Sequence, residues 1–139
     1  MQEKITAAGL DWTVDSAGTG GWHSGEGPDA RSVATAWEMG IDISRQRARK
    51  FVVSDFDRFD HILVMDSQNK VDVLRLARNN ADSSKVELMM NFAFPERNVN
   101  VPDPYYGGPD GFHDVFHMLD EACEAFIKNY DALFPHARL

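Results

Sequence analysis

The sequence predicts an α/β domain of three layers, a central parallel sheet flanked by helices, and two patterns carry that expectation. Short apolar runs alternate along the chain with stretches of helical periodicity, and residues that start or stop helices bracket those stretches. Strands that alternate with helices build parallel sheets covered on both faces. With 139 residues, 43% of them apolar, the chain can bury one core. Residues 1–139 are therefore expected to form a single domain, with no internal repeat, low-complexity tract or linker.

Each element has a local reason. Residues 1–9 read as the latter part of a helix ending near Gly9, with no residue ahead of Met1 to cap its first amides. Residues 12–17 read as a strand. Residues 29–39 read as a helix that follows Pro28 and closes at Gly40. Residues 61–65 form a short apolar run suited to a buried strand, followed by a helix over 69–77 and a strand over 86–90. A closing helix over 112–133 is marked by Phe112, Val115, Phe116, Leu119, Cys123, Phe126 and Tyr130 at spacings of three and four. Cys123, the only cysteine, lies on that apolar stripe and reads as a buried, inert thiol, since nothing nearby lowers its pKa.

Bulk properties narrow the function. A net charge of −8 argues against a nucleic-acid or anionic-membrane surface. No apolar run is long enough to cross a bilayer, and no secretory signal is visible. A lone cysteine forms no internal bridge, so a cytoplasmic location is expected.

The most informative stretch is Asp103-Pro104-Tyr105-Tyr106-Gly107. Pro104 holds Asp103 out of the helical region and Gly107-Gly108 lets the chain turn back, so one carboxyl stands on a stiff loop beside two flat rings. By itself the segment is either a plain turn or a catalytic loop. The Gly-rich stretch 18–27 fails as a phosphate cradle, because no Lys-Ser or Lys-Thr closes it and its glycines miss the dinucleotide spacing. Trp22 within it reads as either an apolar anchor for that loop or a stacking surface. Asp66, just after the 61–65 run, reads as a helix cap or as a functional carboxylate. His113 and His117 share a helical face but lack a third ligand nearby, so no metal is expected. No cofactor is expected either.

Taken together, Val14-Asp15-Ser16-Ala17-Gly18-Thr19-Gly20-Gly21-Trp22-His23, Pro28-Asp29-Ala30-Arg31, Gly40-Ile41-Asp42, Arg47-Ala48-Arg49, the run from Phe59 to Asp66, and Asp103-Pro104-Tyr105-Tyr106-Gly107 resemble, in order and spacing, the low-molecular-weight protein tyrosine phosphatases. The resemblance runs from Leu10 to Phe126. It implies Asp103 as the general acid that protonates a departing phenolate, and Trp22, Tyr105 and Tyr106 as walls of a slot for a flat phosphoaryl group. The implied substrates are phosphotyrosine proteins or small aryl phosphates, which the paired tyrosines favour over the substrates of the related arginine phosphatases and arsenate reductases. His23 falls at a position that varies in the family.

The chain also departs from that pattern. Family members open with a buried strand and a Cys-x5-Arg loop, whose thiolate attacks phosphorus while the loop amides and Arg hold the phosphoryl oxygens. This sequence contains no Cys-x5-Arg; the residue six beyond Cys123 is Asn129. The expectation is a domain shortened at its N-terminus and inactive as it stands. The resemblance further implies that the absent strand is internal, between residues 12–17 and 61–65. Those segments would then close up, stay poorly ordered or take a strand from another chain, with self-association as a consequence. Three readings follow: a shortened phosphatase, a non-catalytic phosphoryl-binding relative, and a strand-mediated association module.

Overall fold

A pair of three-residue strands sets the centre of the molecule. The computed structural model describes residues 1–20, 25–103 and 110–134. In it, β1 (Ile62–Val64) pairs in parallel with β2 (Val86–Leu88), Ile62 opposite Val86 and Val64 opposite Leu88. Around them lie α1 (Gln2–Ala7), α2 (Ala30–Glu38), α3 (Asp55–Arg58), α4 (Ser67–Leu74), α5 (Asn80–Ser84), a 3₁₀ turn (Met89–Phe92), α6 (Gly111–Lys128) and α7 (Tyr130–Leu133).

Side chains of a strand alternate between its two faces, and here both faces are covered. Ile62, Val64, Val86 and Leu88 turn to one side and pack with Phe51, Phe56 of α3 and Val73 of α4. Leu63 and Met65 turn to the other, against Met89, Met90, Val101 and the Ala122–Cys123 stripe of α6. The expected layering of helices over a parallel sheet is therefore present, with a sheet of two strands among the described residues.

Helix ends are set by side-chain caps and glycine. The Asp29 carboxylate accepts from the Arg31 amide at 2.8 Å to open α2. Gly40 closes that helix at φ +81°, donating to the Trp37 carbonyl. Asp66 accepts from the Asn69 amide at 2.7 Å, so α4 starts at Ser67, two residues earlier than periodicity suggested. Asn79 caps α5 in the same way; that helix and α3 are one-turn segments too short to show a period. The predicted closing helix is interrupted at Asn129, and its last turn, α7, is a separate piece. The predicted strand over 86–90 stops at Leu88, where the chain tightens into the 3₁₀ turn.

One element needs correction. Residues 12–17 form no strand; they run without a ladder, and the chain next to them touches regular pairing at a single parallel bridge between Gly18 and Lys50. A strand is stable only when its amides and carbonyls find a neighbour, and among the described residues none is paired along 12–17. Trp12 is held instead by its ring, 4.6 Å from Tyr130 and 6.0 Å from Phe126.

A charge network fastens residues 48–51 to the core. Asp55 is 1% exposed and takes a two-point grip from Arg49, at 3.0 and 3.2 Å, plus the Val52 amide at 2.9 Å. Arg49 also reaches Asp15 at 3.0 Å. Burial alone would raise the Asp55 carboxyl, but Arg49 and the Val52 amide outweigh it and hold the group below the usual carboxylate range. The stabilisation is therefore complete above the ordinary value of 3.8 and is lost as pH falls through the lower folded-state value. Asp55→Ala leaves a partly buried guanidinium short of a partner and is expected to cost about 3 kcal/mol in urea unfolding at neutral pH. A loss below about 1 kcal/mol, the scale of an exposed pair, would show that the network does not hold the fold.

Candidate active site

In open parallel sheets, ligands gather at the carboxyl ends of the strands, and the segment bearing Asp103 is fastened there. Beyond β1, the Met65 carbonyl accepts from the Val101 amide at 2.8 Å. One residue earlier, the Asn100 side-chain oxygen accepts from both the amide and the hydroxyl of Ser67, at 3.0 and 3.1 Å. The first turn of α4 thus grips the incoming loop while Asp66 caps the same helix. Val101 is buried, and Asp103, two residues on, is exposed.

The loop before this clamp is shaped by side-chain amides. Asn98 sits at φ +53°, a left-handed conformation that asparagine tolerates better than most residues. It is held by a reciprocal pair with Asn91: its amide donates to Asn91 Oδ1 at 2.9 Å, and Asn91 Nδ2 donates back at 3.1 Å. Asn91 also reaches Glu87 Oε1 at 2.8 Å, tying the loop to β2. Asp103 is therefore carried on a path pinned to both strands.

A second set of bonds flanks the Gly-rich segment. Gly18 donates to the Arg49 carbonyl at 2.9 Å and accepts from the Phe51 amide at 2.8 Å; Gly25 donates to the Ala48 carbonyl at 2.6 Å, and Ala48 donates to Glu26 at 2.7 Å. Successive residues of an extended chain point their polar groups to opposite edges, so both sides of the segment are pinned across residues 48–51. Ser16, Gly27, Pro28, Gln46, Arg47 and Ala48 line a shallow cavity of about 200 Å³ beside it, and Asp103 is not part of that lining.

The predicted site residues divide accordingly. Asp103 follows Val101 beyond the carboxyl end of β1 and is exposed. Trp22, Tyr105 and Tyr106, like His23, lie outside the described residues. Asp66 serves as the α4 cap, the simpler of its two readings. Cys123 is buried in the α6 core, where burial pushes its thiol up, away from the thiolate a nucleophile requires. His113 bonds to Glu38 of α2 at 2.8 Å. Among the described residues no three His, Cys, Asp or Glu side chains converge as a metal site, and no helix is long and apolar enough to cross a membrane. Sequence reasoning missed Asn100 and Ser67, which lie 33 positions apart and carry no local signal of contact.

Helices layered on a parallel pair define an α/β fold. The sequence pattern of the family described as low molecular weight phosphotyrosine protein phosphatase matches residues 1–133. The chain is 38% identical over 132 residues to the low molecular weight phosphotyrosine protein phosphatase of Schizosaccharomyces pombe, spanning 93% of this chain and 83% of that protein. It is 40% identical over 131 residues to the low molecular weight protein-tyrosine-phosphatase of Streptomyces coelicolor, spanning 91% and 79%. Its fold superposes on a crystal structure of a protein tyrosine phosphatase from Entamoeba histolytica with a TM-score of 0.86 at 33% identity, over 94% of this chain and 84% of that one. This chain belongs to the low-molecular-weight phosphotyrosine protein phosphatase family.

Asn100→Ala removes the acceptor for both Ser67 bonds and is expected to cost about 1 kcal/mol while raising amide exchange at Val101 and Asp103 several-fold. Unchanged protection at Val101 would mean that the Met65 bond alone fixes the loop.

Proposed function

We propose that this fold serves the hydrolysis of phosphotyrosine and small aryl phosphate monoesters, with Asp103 as general acid and Trp22, Tyr105 and Tyr106 flanking the aryl group in the complete family form. The observation that carries the reading is the double clamp, Val101 to Met65 and Asn100 to Ser67, which holds Asp103 at the sheet's carboxyl end. In that chemistry a thiolate forms a bond to phosphorus as the bond from phosphorus to the aryl oxygen breaks. The acid then delivers its proton to the departing oxygen.

For the 139-residue chain itself we propose no turnover. It has one cysteine, packed inside α6, and no Cys-x5-Arg segment to present a thiolate within an anion cradle. We place the chain as one domain acting in the cytoplasm. The expected result with p-nitrophenyl phosphate is no release of p-nitrophenol above background from either the parent or Asp103→Asn. An active parent with an impaired Asp103→Asn variant would overturn the inactivity and show that Asp103 works with another nucleophile.

A second reading is supported by the sheet edge. Among the described residues β1 is paired on one side only, and residues 12–17 run beside the core without a ladder. Paired addition of a strand satisfies such groups, so the chain is proposed to self-associate through this edge. Light scattering across a hundredfold range of concentration should show growth in mass that phosphate analogues do not alter; a constant monomer mass would remove the reading.

A further inference from the structure

The ring cluster that joins the two ends of the chain contains one titratable imidazole. His61, immediately before β1, lies with its ring centroid 5.7 Å from Phe126, 5.4 Å from Tyr130 and 4.4 Å from Phe134. Its Nε2 is 2.9 Å from the Tyr130 hydroxyl. Tyr130, buried at the start of α7, also packs on Trp12. This one contact therefore joins β1, the last helical turn and the Trp12 segment. Asn129 is the turn residue at which α6 ends and α7 begins.

We propose that the His61–Tyr130 contact is a pH-sensitive latch, closed while the imidazole is neutral and opened by its protonation, which releases α7 from the Trp12 segment and β1. A neutral ring with its proton on Nδ1 leaves Nε2 as an acceptor for the Tyr130 hydroxyl. Protonation makes both nitrogens donors, so the hydroxyl must turn round to accept while a cation enters a cluster built of Phe126, Phe134, Trp12 and Tyr130.

Among the described residues, the charged groups around the ring do not rescue the cation. Asp60, its chain neighbour, favours the charged form, Lys85 ahead of β2 opposes it, and burial, the largest influence, also opposes it. On α6 and α7 the charged residues flanking Tyr130, Lys128 and Asp131, are exposed, and among the described residues the rings facing the imidazole are Phe126, Phe134 and the Tyr130 phenol. His61 is thereby held below its ordinary value of 6.5. The sign follows: a base that titrates lower when folded lends stability that is complete above the ordinary value and lost as pH falls below it.

The test combines imidazole chemical shifts of His61 with amide exchange in residues 130–134, corrected for the intrinsic effect of pH, from pH 8 to pH 5. The expected result is a His61 midpoint below 6.5 and exchange in α7 that rises about tenfold as His61 charges, while β2 stays protected. His61→Phe keeps a ring in the cluster and should abolish that rise. Tyr130→Phe, which removes only the hydroxyl, should move the His61 midpoint upward by withdrawing a bond to the neutral ring. A midpoint at or above 6.5, or the same rise in exchange in His61→Phe, overturns the latch. So does a midpoint unmoved in Tyr130→Phe.

Discussion

The parallel pairing of β1 with β2 is the constraint from which the other positions follow. Each strand has only three residues, so little of its stability comes from the ladder and most comes from covering both faces. The alternation is strict: Ile62 and Val64 feed the cluster with Phe51, Phe56 and Val73, while Leu63 and Met65 feed the one with Met89, Met90 and α6. Shifting the chain by one residue would exchange those two sets. The same register fixes where Met65 and Ser67 emerge, and they receive the loop that ends in Asp103.

Elsewhere, charge substitutes for regular pairing. The protein is strongly acidic, yet its buried carboxylates are not left exposed to mutual repulsion. Asp55 is matched by Arg49, and Asp82 by Arg78, which also reaches Asp57. A buried carboxylate is costly unless paired and hydrogen-bonded, and each of these has a guanidinium and a backbone amide. For Asp55 the arrangement has a positional consequence. Arg49 belongs to residues 48–51, across which Gly18 and Gly25 are fastened, so the charge that neutralises a core acid also sets the two flanks of the Gly-rich segment.

Much of this was legible in the sequence because it is local. Gly40 and Asp66 act through amides within four residues, and the α6 stripe repeats often enough for its period to stand out. What escaped was non-local. The Asn100–Ser67 bond spans two segments distant in the chain, and the break at Asn129 interrupts a helix whose apolar period runs on without a gap. The strand expected over residues 12–17 failed for a different reason: composition reports whether a segment suits a pleated surface, but not whether a neighbour is there to pair with it. The sequence placed Asp103 on a loop but gave no sign of which end of the sheet receives it, because the Val101–Met65 bond that sets this joins segments distant in the chain.

Positioning an acid and starting a reaction place different demands on a fold. Positioning an acid depends on its loop, and here Met65, Ser67, Asn91 and Asn98 provide that through ordinary hydrogen bonds. Starting a reaction depends on a nucleophile with its charge accessible, and Cys123 is the reverse of that, buried among methionines with its thiol form favoured. A general acid raises the rate of bond cleavage by about 10²- to 10⁴-fold, but it acts on a step that another group must begin. The bonds that hold the Asp103 segment also fasten the 98–101 loop to the end of β1 and the first turn of α4, so they serve the fold whether or not a reaction follows.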